Sequence, residues 1–445
     1  MYALAPPRDR LPRRRGAPDL GPWLLLFVAG FAVRAAVLWL VLGTPAHPAS
    51  DSAVYDTVAW NLARRAGFSL DGAAGPYPTA FVPPLLPWLT SLLYRIVGHQ
   101  YTAALLLQCG IGALAPLLLA ALAGATFGLT TGRLAAWLVV FDPLLVLSSG
   151  SMHGETLLAA VLLGALLASA EWVKTPRRGR AVGAGLLWGL ATLTRPSTFG
   201  LALIVLAWAW TPLGLASAPR ERLRQVSLLL LGALLAVGPW TVRNAVVLHA
   251  FIPVTTGGGI ALLDGNNPPA WTDPVLRGGA VRSDRLEPWA SRLRGRDEPA
   301  TDALAHREAV TFVAAHLREW PAVAWAKLAR FWQLGARGGS FGSLPPGGTL
   351  GAGAPDLLVV WSTLLFPCAL WGLVRTLRGA RRWFQSLPLL VILYFSALAI
   401  VYWGEPRMRV PVEPSIALFA AVGLEDLRHR LRVRARGFKL VTDSR

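Results

Sequence analysis

The run GPWLLLFVAGFAVRAAVLWLVLG (residues 21–43) is followed almost at once by HPASDSAVYDTVAWNLARRAGFS (residues 47–69). The first piece carries one charge, Arg34, and as a helix it is long enough to cross a hydrocarbon core of about 30 Å. The second opens with a polar turn holding Asp51, after which Val54, Val58 and Leu62 recur every four residues. Together they read as a membrane span that emerges into a short amphipathic helix ending in Arg64 and Arg65, where cations suit the helix dipole. Asp51 and Ser50 are also favoured helix-capping residues, so capping alone is one reading of this carboxylate. Tyr55 lies one turn on from Asp51 and shares its face, whereas Asp56 is rotated well away. Asp51 is therefore the acid expected to point at something other than solvent.

The rest of the chain repeats the first run. Of its 445 residues, 54% are hydrophobic and 15% charged, and the mean hydropathy is +0.48. A soluble domain needs no such apolar surface, and the composition dictates an all-α polytopic membrane protein. Apolar stretches lie near 21–43, 82–98, 101–125, 133–149, 153–173, 181–196, 198–212, 226–243, 355–375, 386–403 and 409–426. They predict a bundle of about 10–12 transmembrane helices. The net charge of +19 would suggest nucleic acid in a soluble chain. Here the cations sit between apolar runs, in RDRLPRRR (8–15), KTPRRGR (174–180), PRERLR (219–224), RTLRGARR (375–382) and the tail from Arg428. That pattern orients a membrane protein, with both termini expected in the cytoplasm. The basic start resembles a signal peptide, but its apolar part is too long and no small-residue cleavage site follows, so it reads as a retained first helix. Cys109 and Cys368 lie inside apolar runs and offer neither a disulfide framework nor a metal site.

From Lys174 onward the basic anchors agree with one alternation of crossings. Before it they do not, because five apolar stretches cannot join two points on the same side. One stretch between 82 and 149 must be split, re-entrant or non-spanning. The expected organisation is an N-terminal transmembrane module (1–243) with a first outer loop (44–81), an extracytoplasmic Gly/Pro-rich segment (244–354), and C-terminal helices with a basic cytoplasmic tail (355–445). Within the outer segment, HLREWPAVAWAKLARFWQL (316–334) mixes Trp320, Trp325, Phe331 and Trp332 with cations at helical spacing, as a helix lying in the interface would. No internal repeat is evident.

Polar residues gather at the predicted membrane boundaries: His153 and Glu155 in SMHGETLL, Arg195 in LTRPS, Arg243 and Asn244 in WTVRN, and Glu405, Arg407 and Arg409 in GEPRMR. A charge at the bilayer centre costs about 2.5–3.5 kcal/mol on insertion scales, and single boundary charges commonly snorkel to the interface. A set of arginines and carboxylates on one side instead suits an anionic lipid headgroup. Arginine forks onto phosphate, and a carboxylate can deprotonate an acceptor hydroxyl. No nucleotide-binding glycine pattern follows a strand, and no paired Cys or His spacing suggests a structural metal.

Six segments carry a resemblance: ASDSAVYDTVAWNLARRAGFS, FVPPLLPWLTSLLYRIVG, SMHGETLLAAVLL, GLLWGLATLTRPSTFG, GPWTVRNAVVLHAFIPVTTGGGIALLDGNNP and GEPRMRVPVEPSIALFAA. In this order they resemble the GT-C-type polytopic glycosyltransferases of family 39, the group of protein O-mannosyltransferases and lipid A aminoarabinose transferases. The resemblance implies transfer of a sugar from a polyprenyl-phosphate donor to a lipid, glycan or protein acceptor on the outer face of the cell membrane. It places Asp51 at the family's catalytic acid. Glu155 matches a recurrent acid, Arg195 the cation closing the LTRP segment, Arg243 and Asn244 the WxxRN motif, Asn266 and Asn267 the GNNP turn, and Arg407 the late EPR segment. Tyr55, His153 and Glu405 complete the candidate substrate-binding set. Met408 stands where an aromatic is commoner, and Ser52 follows Asp51 where protein mannosyltransferases carry Glu. A divalent metal stays open, since Asp51 with Glu155 or Glu405 could bind one only if they converge. The rival reading is a transporter or flippase-like protein moving an anionic lipid-linked substrate; against it stands the absence of paired halves with matching interrupted helices.

Overall fold

The computed structural model describes residues 20–43, 47–48, 50–211, 215, 217–334, 354–378 and 383–442. Five helices are long and apolar enough to cross a membrane: Gly21–Leu40, Tyr101–Thr126, Gly154–Lys174, Pro219–Leu248 and Asp356–Arg378. Four shorter apolar helices accompany them, Leu85–Val97, Leu129–Phe141, Thr198–Trp210 and Leu387–Val401. Among the described residues the only paired strands are Ser69–Gly72 and Gly75–Pro78, an antiparallel hairpin. The architecture is an all-α polytopic membrane fold.

Of the apolar stretches between 82 and 149, the first corresponds to the helix Leu85–Val97. Thirteen residues span about 20 Å, short of the hydrocarbon core. This helix packs along Asp51–Ala63, and it is tied to it by Arg95 donating to the Leu62 carbonyl at 3.2 Å. The helices before Lys174 that are long enough to cross are Gly21–Leu40, Tyr101–Thr126 and Gly154–Lys174, with Leu129–Phe141 and Pro143–Ser148 between the last two. Lys174 Nζ donates to the Ala125 carbonyl at 2.8 Å, which puts the ends of Tyr101–Thr126 and Gly154–Lys174 at one level.

One buried cluster is built from Leu158, Leu162, Trp188, Phe331, Phe395 and Ile416 with their neighbours, and a second from Leu38, Val58, Leu86, Tyr94 and Leu105 with theirs. Two helix pairs approach to backbone contact through reciprocal glycines. A Cβ on Gly185 would stand 1.9 Å from the Leu229 carbonyl, and one on Gly232 would stand 2.2 Å from that of Val182. The same exchange joins Gly372 to Phe419 (1.8 Å) and Gly423 to Cys368 (2.2 Å). In lipid, where apolar side chains gain little by meeting one another, such close backbone approach is a main source of helix association. Both cysteines are free.

The region after Leu248 is helical rather than a plain loop. Gly258–Asp264, Pro268–Thr272, Trp289–Leu293, Glu298–Ala315 and Trp320–Trp332 enclose a small core of Leu263, Trp289, Leu293, Ala305 and Ala309. The Gly/Pro-rich end of the expected outer segment, 335–353, lies outside the described residues.

One expectation about the first loop needs correction. Asp56 does not face solvent: it is 4% exposed, accepts from the Tyr94 hydroxyl and meets His99 Nε2 at 2.8 Å. The helix Asp51–Ala63 is covered on two sides, by Leu85–Val97 as well as by the bundle, so its buried face extends to Ser52, Tyr55, Asp56, Val58, Ala59 and Asn61. Spacing alone showed one apolar stripe and could not show a second neighbour.

Candidate active site

Four separate elements deliver charged side chains to one end of the bundle. Asp51 is the first residue of the helix Asp51–Ala63, whose cap position, Ser50, makes no side-chain capping bond. Glu155 sits in the first turn of Gly154–Lys174. Arg195 occupies the turn between the helices Arg178–Thr194 and Thr198–Trp210, with Pro196 beside it. Arg407 lies in the 3-10 turn Pro406–Arg409, opened by Pro at its first position.

They form two ion-paired groups, Arg195 with Glu155, and Arg407 with Asp51 and Glu405. Arg195 Nη1 donates to Glu155 Oε1. Arg407 Nη1 approaches Asp51 Oδ2 at 3.3 Å, and its Nε donates to Glu405 Oε2 at 3.1 Å. Met408 Sδ lies 4.0 Å from Arg195 Nη2, linking the two arginine-bearing turns. The Asp51 helix docks onto the turn before Glu155 through Met152 N donating to Ser52 Oγ at 3.2 Å. Gly154 is the contact point, because a Cβ there would stand 3.0 Å from the Thr194 carbonyl and 3.7 Å from Tyr55 Oη. Spacing gave no signal for these roles of Ser52 and Gly154, since they are set by elements about 40 and 100 residues away in sequence.

Exposure grades across the site. The Asp51 side chain is 55% exposed and those of Arg195 and Arg407 are 26% and 23%, whereas Glu155 is 5%. Burial on its own would lower the affinity of Arg407 for its proton, but the carboxylates Glu155, Glu405 and Asp51 outweigh it and push the guanidinium up, so it stays charged. Burial raises the Glu405 carboxyl above its usual range, with Arg407 opposing the shift. It raises the Tyr55 phenol and holds the His153 imidazole below its ordinary value, hence neutral near pH 7. Glu155 Oε2 and His153 Nε2 are both buried without a hydrogen-bond partner.

The other sequence candidates stand elsewhere. Arg243 spends its donors on backbone, Nη1 on the Thr79 carbonyl at 2.7 Å and Nη2 on that of Phe68 at 2.8 Å, while its plane covers the Phe68 and Trp240 rings. Asn244, fully buried, donates to the Ile252 carbonyl at 3.0 Å. Asn267 caps the helix Pro268–Thr272. Asn266 donates to the carbonyls of Leu262 and Val401, and its Oδ1 accepts from Lys327 Nζ at 2.8 Å. These four residues tie loops to the bundle at this end. As for a metal, no three His, Cys, Asp or Glu side chains converge among the described residues. Asp51, Glu155 and Glu405 are instead held by arginines, so the set does not fit a cation site.

Residues 82–249 match the model of the dolichyl-phosphate-mannose-protein mannosyltransferase family. No curated protein sequence matches the chain. Among solved structures, the apo oligosaccharyltransferase of Archaeoglobus fulgidus aligns at 16% identity over 95% of this chain and 52% of that one, with a TM-score of 0.56. The same enzyme, AglB, in complex with an inhibitory peptide and a dolichol-phosphate aligns at 15% identity over 94% and 51%, with a TM-score of 0.53. ArnT from Cupriavidus metallidurans bound to undecaprenyl phosphate aligns at 17% identity over 91% and 78%, with a TM-score of 0.41. The chain spans about half the length of the oligosaccharyltransferase chains it matches. In fold the chain is thus similar to the GT-C glycosyltransferases, and over residues 82–249 it matches the dolichyl-phosphate-mannose-protein mannosyltransferase family.

Proposed function

We propose that the chain is a membrane glycosyltransferase that moves a sugar from a polyprenyl-phosphate donor to a hydroxyl-bearing lipid, glycan or protein acceptor. The observation that carries this reading is the convergence of Asp51, Glu155, Arg195 and Arg407 from four elements on one partly open site. The family match over 82–249 and the polyprenyl phosphates named with two of the fold relatives agree with it. In this reading the end of the bundle that carries the basic loops is cytoplasmic and the site faces outward, which the positive-inside tendency supports.

In the reaction, the acceptor oxygen attacks the anomeric carbon of the sugar from the side opposite the phosphate. Its proton passes to Asp51, whose Oδ2 already meets Arg407. The bond between the anomeric carbon and the phosphate oxygen breaks, and its electron pair leaves with the lipid phosphate. Arg407 and Arg195 stabilise that departing charge, since each has guanidinium hydrogens free of carboxylate and each is about a quarter exposed. Arg243 is ill placed for this task because its donors are bound to carbonyls. Inversion at the anomeric carbon follows from a single displacement.

The test is reconstitution of the purified protein in vesicles containing a polyprenyl-phosphate sugar and an acceptor-bearing extract. Release of free polyprenyl phosphate together with label in the acceptor supports transfer. Movement of intact donor across the bilayer without release would instead favour a transporter.

A further inference from the structure

Three polar atoms around Gly154 have no hydrogen-bond partner among the described residues. Glu155 Oε2 and His153 Nε2 are buried and unbonded, in residues 4% and 6% exposed. Tyr55 Oη makes no hydrogen bond to any described residue and feels the charges of Arg195, Glu155, Asp51 and Arg407. It lies next to Gly154, the residue between the other two. A buried carboxylate oxygen without a donor is costly, so a set like this is completed by something outside the described residues.

The chemistry of that partner follows from the atoms. Glu155 Oε2 can only accept while the acid is ionised, and its other oxygen is paired with Arg195. His153 Nδ1 meets Ser151 Oγ at 2.8 Å, leaving Nε2 for a second bond. Tyr55 can donate or accept. Neighbouring groups of this kind match the vicinal hydroxyls of a sugar. Because Arg195 holds Glu155 directly, the sugar that reaches these atoms is the one attached to the phosphate Arg195 binds.

We propose that Tyr55 Oη, His153 Nε2 and Glu155 Oε2 form the donor-sugar subsite, and that it takes a neutral, hydroxyl-bearing sugar and rejects one with a carboxylate. The proposal rests on the transferase reading and deepens it. Glu155 repels a uronic acid at close range, whereas Asp51 and Arg407 are spent on the acceptor and the phosphate.

The experiment compares binding of three probes to the full-length protein in detergent: bare polyprenyl phosphate, the same lipid bearing a neutral hexose, and the lipid bearing a hexuronic acid. The neutral hexosyl lipid should bind at least about tenfold more tightly than the other two. Tyr55→Phe and His153→Ala should each reduce that preference by about three- to tenfold, one hydrogen bond's worth, and leave the bare lipid phosphate unaffected. Glu155→Gln should narrow the gap between hexose and hexuronate, and Tyr55→Phe, which keeps the ring, serves if the Glu155 variant does not fold. Unchanged preference in Tyr55→Phe and His153→Ala would mean that water completes these atoms, and the subsite would be overturned. Equal binding of the hexosyl and hexuronosyl lipids would overturn the class of sugar. Failure of the unaltered protein to bind any of the lipid phosphates would overturn the transferase reading itself.

Discussion

Arg407 and Arg243 look alike in the sequence, each in a short motif at the edge of an apolar helix, yet their surroundings differ in kind. Arg407 meets two carboxylates, Asp51 from the first loop and Glu405 two residues before it, and keeps part of its guanidinium open. Arg243 lies over the Phe68 and Trp240 rings, which meet each other edge to face, and donates to the loop carbonyls of Phe68 and Thr79, the first of which also accepts from Thr79 N. The lesson is that a cation's use depends on whether its donors are already committed. Motif spacing does not carry that information.

The comparison can be broken most sharply by removing each charge in turn. Arg407→Ala should lower transfer from a lipid-phosphate sugar by about a thousandfold, and Arg195→Ala by about a hundredfold, as loss of a preorganised donor to a developing charge does elsewhere. Initial rates on protein of confirmed melting temperature measure this. Arg243→Ala should act on stability instead, costing about 1–3 kcal/mol by stranding the Thr79 carbonyl, with turnover per folded molecule within about threefold. Thermal melting and an active-fraction titration separate the two. A full loss of turnover with unchanged melting in Arg243→Ala would erase the distinction between the two arginines.

Lys327 supplies a third and smaller case, a cation with no carboxylate at all. It is fully buried and donates to Asn266 Oδ1 at 2.8 Å and to the Val401 carbonyl at 3.4 Å. Burial pushes its ammonium down to about 7, from an ordinary value of 10.5. The folded chain therefore binds fewer protons than the unfolded chain between about pH 7 and 10.5, so this group makes stability rise with pH across that window. Melting temperature followed through the window should climb in the unaltered protein, and Lys327→Met should flatten the climb. An identical slope in both proteins would show that other groups set it.

Much of the fold was legible because bilayer thickness imposes a length on apolar runs. The spans near 21–43, 153–173 and 355–375 correspond to Gly21–Leu40, Gly154–Lys174 and Asp356–Arg378. Leu85–Val97 was harder, because its composition is that of a span and only its length sets it apart from the longer helices. Within the site, the sequence offered eleven candidates of similar polarity. The structure brings Asp51, Tyr55, His153, Glu155, Arg195, Glu405 and Arg407 together and gives Arg243, Asn244, Asn266 and Asn267 to loop anchoring. Hydrophobic periodicity cannot rank such residues, since each lies at a helix end where a polar side chain is cheap.

The most direct test of the account is a single-turnover measurement on Asp51→Asn with a saturating polyprenyl-phosphate sugar, alongside its binding of that donor. If Asp51 takes the acceptor proton, the chemical step should slow by at least about a hundredfold while donor affinity changes less than about threefold. Turnover at the rate of the unaltered protein would contradict the central claim.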